Sequence, residues 1–204
     1  MTTLPIPPLL AITDRRQAVL PLPDLAARLF AAGLRWLSLR EKDLSDHEQV
    51  ALARTLVACA RPWGAIVLVH GPAELALAAG AAGVHLTDGG DPTEGRRILG
   101  ATAIIGVSAH TAEGLLRAAA GGADYATVSP VFASASKPGY GPLLGVAGVR
   151  HLAAGVGMPV LALGGVDEAG AAACRAAGAA GVAVMGPLMR EPGCLAGLLR
   201  AVTR

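Results

Sequence analysis

Eight short apolar runs recur along the chain, separated by alanine-rich segments with helical spacing. Most of the runs are continuous stretches of Val, Ile and Leu, which is typical of parallel strands buried on both faces. We predict strands over residues 9–12, 36–39, 65–69, 83–86, 103–107, 125–128, 159–163 and 181–185. We predict helices over residues 22–32, 46–60, 72–79, 111–120 and 168–177.

This repeated strand–helix unit predicts an α/β protein built as a (β/α)8 TIM barrel. Eight such units in 204 residues leave no room for a second domain, so one barrel domain is expected over residues 1–204. An open, doubly wound sheet is the alternative. It would require a change of strand order that the sequence does not reveal.

The composition favours a soluble protein with a large core. Hydrophobic residues make up 53% of the chain and charged residues 16%, but Gly, Arg or Asp interrupts every apolar stretch before it could span a bilayer. Residues 1–8 contain no basic residue and do not resemble a secretory signal, so a cytoplasmic location is expected. The net charge of +2, without a basic cluster, argues against nucleic acid as a partner.

Glycines follow the last two predicted strands. Gly164 and Gly165 end the seventh strand, and Met185 and Gly186 end the eighth. A backbone without Cβ atoms lets an anion approach N–H groups, and the helix that follows offers further N–H groups. TIM barrels often bind phosphate after strands seven and eight, so this pattern predicts a phosphate site. The alternative is that the glycines only relieve crowding in tight turns.

Two cations follow the second strand. Arg40 and Lys42 are two residues apart, so they point to the same side of an extended chain. Two cations aimed at one spot suit a polyanion such as diphosphate. The alternative is an exposed charged turn in which Glu41 and Asp43 neutralise the two bases.

Hydroxyl groups and a lysine follow the fifth and sixth strands. Ser108 ends strand five and is predicted to hydrogen-bond a phosphate oxygen. His110 or Thr111 is expected to cap the next helix, and for His110 capping is favoured over a role in the site. Residues 129–142 form the longest loop-like stretch, which is typical of a lid or binding loop. In this loop Lys137 is a candidate phosphate ligand, and Ser134 and Ser136 are candidate contacts to a second substrate.

These motifs together resemble the thiamine phosphate synthase and TenI family. The similar segments follow one another in the family's order over nearly the whole chain: LAITD at 10–14, LREK at 39–42, GVHL at 83–86, IGVSAH at 105–110, GADY at 122–125, SPVF at 129–132, ALGG at 162–165 and GVAVM at 181–185.

The resemblance implies a barrel enzyme that joins a hydroxymethylpyrimidine diphosphate to a thiazole phosphate and releases diphosphate with Mg2+. These two phosphorylated molecules would be its partners, and a homodimer is left open. By position in the family pattern, the predicted diphosphate ligands are Arg40, Lys42, Ser108 and Lys137. Ser134 matches a threonine near the pyrimidine, Ser38 replaces a glutamine, and the backbone at Gly164, Gly165 and Gly186 would hold the thiazole phosphate.

The chain departs from the synthase pattern at the metal ligands. His70 and Gly71 follow strand three where the synthases have Asn-Asp, and imidazole is a poor ligand for a hard Mg2+ ion. After strand four, Asp88 and Asp91 are the candidate metal ligands, although Asp91-Pro92 also resembles a helix start in which Asp91 is the cap.

The TenI branch lacks the acidic pair and transfers a proton on a thiazole phosphate. Its histidine in the strand-six loop is replaced here by Pro130, so His70 is the candidate proton carrier, with a merely hydrogen-bonded histidine as the alternative. His85, within strand four, is expected to be structural. Three hypotheses follow: a thiamine phosphate synthase, a TenI-like tautomerase, or a non-catalytic binder of a thiazole or thiamine phosphate.

Overall fold

The apolar runs form parallel strands, as their Val, Ile and Leu content predicts. The computed structural model describes residues 4–134, 139 and 141–203. Within these ranges the strands are β1 (Leu9–Ile12), β2 (Trp36–Leu39), β3 (Ile66–His70), β4 (Gly83–Leu86), β5 (Ile104–Ala109), β6 (Tyr125–Val128), β7 (Val160–Leu163) and β8 (Gly181–Val184). Each strand pairs with the next, and β8 pairs with β1. The predicted (β/α)8 barrel is confirmed, and the open sheet is excluded.

Helices connect the strands and cover the outside of the barrel. They are α1 (Leu22–Ala31), α2 (Asp46–Ala60), α3 (Ala73–Ala79), α4 (Pro92–Leu99), α5 (Ala112–Ala120), α6 (Gly145–Ala154), α7 (Glu168–Ala176), α8 (Gly186–Arg190) and α9 (Leu195–Thr203), with 3-10 turns at Arg61–Trp63 and Pro192–Cys194. Apolar strand residues that point outward pack against buried Leu and Ala residues of these helices. None of the helices in the described ranges has the length and apolar character needed to cross a membrane.

Two strands extend further toward the carboxyl end than their apolar runs predict. β3 ends at His70 because His70 still pairs with His85 of β4. β5 continues beyond residue 107 because Ser108 pairs with Thr127 of β6. Backbone pairing, not apolar character, therefore sets these ends, and it carries polar side chains to the mouth of the barrel.

Large side chains fill the barrel interior below that mouth. The rings of Trp36 and Tyr125 meet edge to face, with centroids 4.8 Å apart and an interplanar angle of 72°. Gly106 makes room for this pair, since a Cβ atom on Gly106 would overlap the Tyr125 ring. The interior is thus a packed core, and a cavity can open only at the carboxyl ends of the strands.

Candidate active site

A cavity of about 440 Å³ lies at the carboxyl ends of the strands. This volume falls in the usual range for sites that enclose small organic ligands. Of the residues predicted from the sequence, those that line it are Arg40, Lys42, His70, Asp88, Ser108, Ser134, Gly164, Gly165, Met185 and Gly186. The fold therefore brings into one place groups that are more than 140 residues apart in the chain.

Two of the predicted site residues that the structure describes do not line this cavity. Ser38 is fully buried within β2, below the cavity, and its hydroxyl has no hydrogen-bond partner among the described residues. Asp91 lies outside the cavity and caps α4, where its Oδ1 accepts the Thr93 N–H at 2.9 Å. Ser136 and Lys137 lie outside the described residues. Neither the Ser38 nor the Asp91 side chain is therefore placed to contact a ligand in this cavity.

The end of β2 separates its cations from its carboxylates. Glu41 is buried and accepts the Arg15 backbone N–H at 3.0 and 3.2 Å, while Asp43 lies 2.7 Å from the Arg15 guanidinium. Burial raises the pKa of Glu41. These carboxylates fasten the β1–α1 loop to the end of β2, and Arg40 and Lys42 face the cavity.

Arg40 is also anchored through its backbone. Its N–H donates to Thr13 Oγ1 at 2.8 Å, and Thr13 is itself buried. Thr13 follows β1 directly, so this bond fixes the end of β2 against the neighbouring strand. The backbone from which the Arg40 side chain extends is consequently held by the barrel wall rather than by a loose loop.

A column of polar side chains lies under the cavity. The ring centroids of His70 and His85 are 4.8 Å apart, and His85 is bonded through Nδ1 to the Tyr125 hydroxyl at 2.8 Å and through Nε2 to the Ser108 hydroxyl at 3.0 Å. His85 is fully buried, as expected for a structural histidine. It also orients Ser108, a role that alternation along β4 alone did not predict.

Both histidines are neutral near pH 7. Burial lowers the pKa of His70 to about 2, assisted by the nearby positive charges of Arg40 and Lys42 and by His85. Burial alone lowers the pKa of His85 to about 3. Each ring is consequently neutral and carries no charge into the cavity.

His110 lines the cavity and does not cap α5. Thr111 is the cap, since its hydroxyl accepts the Gly114 N–H at 3.1 Å. His110 instead donates from Nδ1 to the Ser129 carbonyl at 2.7 Å, because a carbonyl can only accept. Thr111 is therefore the cap, and the prediction that His110 caps the helix is wrong, because its ring ties the β5 end to the β6 loop.

The glycines after β7 form a tight, exposed backbone turn. Gly164 has φ +101° and Gly165 has φ +63°, values that favour glycine. A Cβ atom on Gly165 would overlap the carbonyls of Phe132 and Ala133, because the β6 loop packs directly against this turn. Among the turn and loop backbone hydrogen bonds of the described residues, none uses the N–H of Gly164 or Gly165. These N–H groups line the cavity and suit an anionic ligand.

Carboxylates contribute to the cavity wall, but the described residues do not form a complete metal site by themselves. Asp88 and Asp167 line the cavity, and Asp167 spends one oxygen on the Gly170 N–H at 2.7 Å to cap α7. The described residues contain no group of three His, Cys, Asp or Glu side chains that could hold a metal ion. Mg2+ is commonly held by one or two carboxylates plus substrate phosphates, and Asp88 offers one such carboxylate.

These features define a TIM-barrel enzyme with a site for anionic groups at the carboxyl ends of its strands. The model of a protein family described as "Thiamine monophosphate synthase" matches residues 9–188. The chain therefore belongs to the thiamine monophosphate synthase family.

Known proteins of this family resemble the chain over nearly its full length. A thiamine-phosphate synthase from Salinispora tropica is 40% identical over 198 residues, which cover 94% of this chain and 95% of the relative. One from Roseiflexus sp. is 38% identical over 183 residues, covering 89% and 78%. The solved structure of a thiamine phosphate pyrophosphorylase from Pyrococcus furiosus superposes with a TM-score of 0.84 at 27% identity, covering 96% of this chain and 95% of that one.

Proposed function

We propose that this protein joins a hydroxymethylpyrimidine diphosphate to a thiazole phosphate and releases diphosphate. The observation that carries the proposal is that one cavity has two anion-binding ends: Arg40 and Lys42 after β2, and the glycine backbone after β7 and β8. A reaction between two phosphorylated molecules needs both ends. A reaction on a single monophosphate needs only one.

At the first end, cations and a hydroxyl would hold the diphosphate. The fork of Arg40, the ammonium of Lys42 and the hydroxyl of Ser108 would bind its oxygens, with His85 fixing the direction of Ser108. The bond between the pyrimidine methylene carbon and the diphosphate oxygen breaks, and the electron pair leaves with the diphosphate. Fixed positive charge beside that oxygen lowers the barrier to this step.

At the second end, the backbone would hold the thiazole phosphate. The N–H groups of Gly164 and Gly165, with Gly186 at the start of α8, would bind its phosphate and aim the thiazole nitrogen at the pyrimidine carbon. The nitrogen lone pair then forms the new C–N bond. Orientation of the two reactants is the main contribution expected of this end of the cavity.

The pyrimidine would lie between the two ends, beside the β6 loop. Ser134 lines the cavity there and is the proposed pyrimidine contact, and Met185 is the proposed contact to the thiazole. Ser136 and Lys137 remain predictions from the sequence, for the second substrate and the diphosphate respectively. Loss of activity in Lys137→Ala is expected on this proposal.

Mg2+ would be held by Asp88 together with the diphosphate. When bound there, it would neutralise charge that the leaving group gains. His70 is not a ligand in this proposal, because a hard cation prefers oxygen to imidazole nitrogen.

The neutrality of His70 argues against the tautomerase. A proton carrier works best when its pKa lies near the operating pH, whereas the pKa of His70 is lowered to about 2. A ring that holds a proton so weakly is a poor base at pH 7. The synthase reaction, by contrast, does not require position 70 to transfer a proton, so a neutral polar group there is compatible with it.

The proposal is tested by incubating purified protein with both precursors and Mg2+ and measuring thiamine phosphate through its fluorescent oxidation product, with and without EDTA. Product that disappears with EDTA supports the synthase with its Mg2+. If no product forms while thiazole phosphate still raises the melting temperature, the synthase proposal is overturned and a binder or tautomerase replaces it.

A further inference from the structure

Arg190 brings an additional cation to the glycine end of the cavity. It is the last residue of α8, four positions after Gly186, which begins the helix. Side chains on a helix lean toward its N-terminus, so a residue at i+4 reaches back over residue i. The Arg190 side chain accordingly lines the cavity beside Met185 and Gly186.

The absence of a side chain at Gly186 lets the guanidinium lie against the backbone. A Cβ atom on Gly186 would be 2.6 Å from Nη1 and 3.1 Å from Nη2 of Arg190. The same Cβ would be 3.0 Å from Oε1 of Gln17. Gly186, Gln17 and Arg190 therefore form one contact group at the mouth of the barrel.

A short relay fixes the direction of Arg190. Its Nη1 donates a hydrogen bond to Gln17 Oε1, and Gln17 Nε2 donates to Asp14 Oδ2 at 2.5 Å. Asp14 and Gln17 follow β1, so the relay connects the end of β1 to the end of β8, the strand paired with it. A fixed guanidinium binds an anion at a lower cost in side-chain entropy than a free one.

The charge of Arg190 is not neutralised within the described part of the chain. No carboxylate there lies within ion-pair distance of it, whereas Arg96 and Arg200 each pair with one carboxylate and Arg15 pairs with two. The partner that orients Arg190 is a neutral amide. The guanidinium thus keeps its charge while facing a cavity whose neighbouring wall is bare backbone.

We infer that Arg190 binds the phosphate monoester of the thiazole substrate, with Gln17 and Asp14 as positioning residues. This inference rests on the proposed function, to which it adds a side-chain cation at the end of the cavity where the sequence predicted only backbone groups. A monoester dianion and a planar guanidinium form charge-assisted, two-point hydrogen bonds.

The inference is tested by steady-state kinetics with the thiazole phosphate and with the dephosphorylated thiazole alcohol. Arg190→Ala should raise the KM for the thiazole phosphate roughly tenfold, the cost of one hydrogen bond to a charged group. The kcat and the KM for the pyrimidine diphosphate should stay close to their wild-type values. The alcohol, which lacks the phosphate, should respond little, and Arg190→Lys should recover part of the loss.

Matched variants separate binding from structure. Arg200→Ala removes an exposed guanidinium on α9 that lies outside the cavity, and it should leave every parameter unchanged. Gln17→Ala removes only the group that orients Arg190, and it should give a smaller rise, about threefold, with the same preference for the phosphate over the alcohol. An equal loss for phosphate and alcohol in Arg190→Ala would overturn the inference.

Calorimetric titration of thiazole phosphate into the wild type and Arg190→Ala keeps the two proposals apart. If the wild type makes no thiamine phosphate but binds thiazole phosphate in a manner that depends on Arg190, the proposed function fails and the phosphate site stands. If the wild type is active and both proteins bind the thiazole phosphate equally, the proposed function stands and the role of Arg190 fails.

Discussion

The imidazole of His70 is a neutral polar group because it lies at the end of β3, where it is largely buried. Burial and the adjacent Arg40 and Lys42 lower its pKa to about 2, so a proton is bound far more weakly in the folded protein than in the unfolded chain. The family pattern has asparagine here, another neutral polar group. Position 70 therefore keeps the polarity of the family residue while losing its oxygen ligand.

We predict that His70→Asn makes the protein less sensitive to acid. In the wild type the folded pKa of about 2 lies below the ordinary value of 6.5. The unfolded state therefore binds one more proton between these values, and stability falls as the pH decreases from 6.5. Removing this histidine should flatten the slope of the unfolding free energy by about 1.4 kcal/mol per pH unit between pH 6 and 4.

The measurement is denaturant unfolding at several pH values in that interval. His47→Asn is the control, since His47 is exposed on α2 and is in solvent in both states. An unchanged slope in His70→Asn, or an equal change in the two variants, would show that His70 is not held neutral by burial.

Asp88 is the carboxylate to which we assign Mg2+, and its charge can be removed without changing its shape. Asp88→Asn should raise the Mg2+ concentration needed for half-maximal rate by about tenfold. Titration of Mg2+ at saturating substrates measures this value. Asp91→Asn is the matched control, because Asp91 lies outside the cavity and asparagine caps a helix as well as aspartate does. Equal Mg2+ requirements in both variants would contradict the assignment.

The turn between β7 and α7 combines a left-handed backbone with a close approach of the β6 loop. The N–H groups of Val131 and Phe132 donate to the carbonyls of Leu163 and Gly164, each at 2.9 Å. This pairing holds the loop against the turn and leaves no space for a side chain on Gly165. The packing of one connection thus shapes the phosphate end of the cavity.

We predict that Gly165→Ala is more destabilising than Gly64→Ala. Both glycines have similar φ values, +63° and +59°, but a Cβ atom on Gly64 meets nothing within 4 Å. Gly64→Ala should lower the free energy of unfolding by about 1 kcal/mol, the cost of a left-handed backbone for alanine. Gly165→Ala should lower it by more than twice that amount. Urea unfolding of the two variants measures the difference. Equal losses would mean that the β6 loop yields to the added methyl group.

The barrel as a whole could be predicted because its pattern is repeated along the chain. Continuous apolar runs identify strands buried on both faces, and eight of them favour a (β/α)8 barrel. The pairing of β8 with β1, which excludes the open sheet, is seen only in the structure. The same logic placed Arg40 and Lys42, since a period of two at a strand end determines the side on which they lie. Gly164 and Gly165 followed from their place after the seventh strand.

The missed features depend on distances that a sequence pattern does not contain. The resemblance gives Ser38 a site position because it stands where the family has a glutamine, but the Ser38 side chain is fully buried in β2 and does not line the cavity. The bond between His85 and Ser108 joins two strands and requires their register. Arg190 lies against Gly186, one helical turn before it, where the absence of a side chain leaves room for the guanidinium. Capping was predicted for His110, but the side chain that reaches the free N–H of Gly114 is that of Thr111.

Tyr125 packs into the space left by Gly106, so a substitution at one of these positions limits what the other can be. Any side chain at Gly106 would collide with the phenol ring, and a smaller residue at Tyr125 would leave a void and remove a partner of His85. Neither residue can be exchanged alone without harm to the interior. Mutant libraries made to give this barrel new substrates should therefore vary Gly106 and Tyr125 together, because only double substitutions can keep the interior packed.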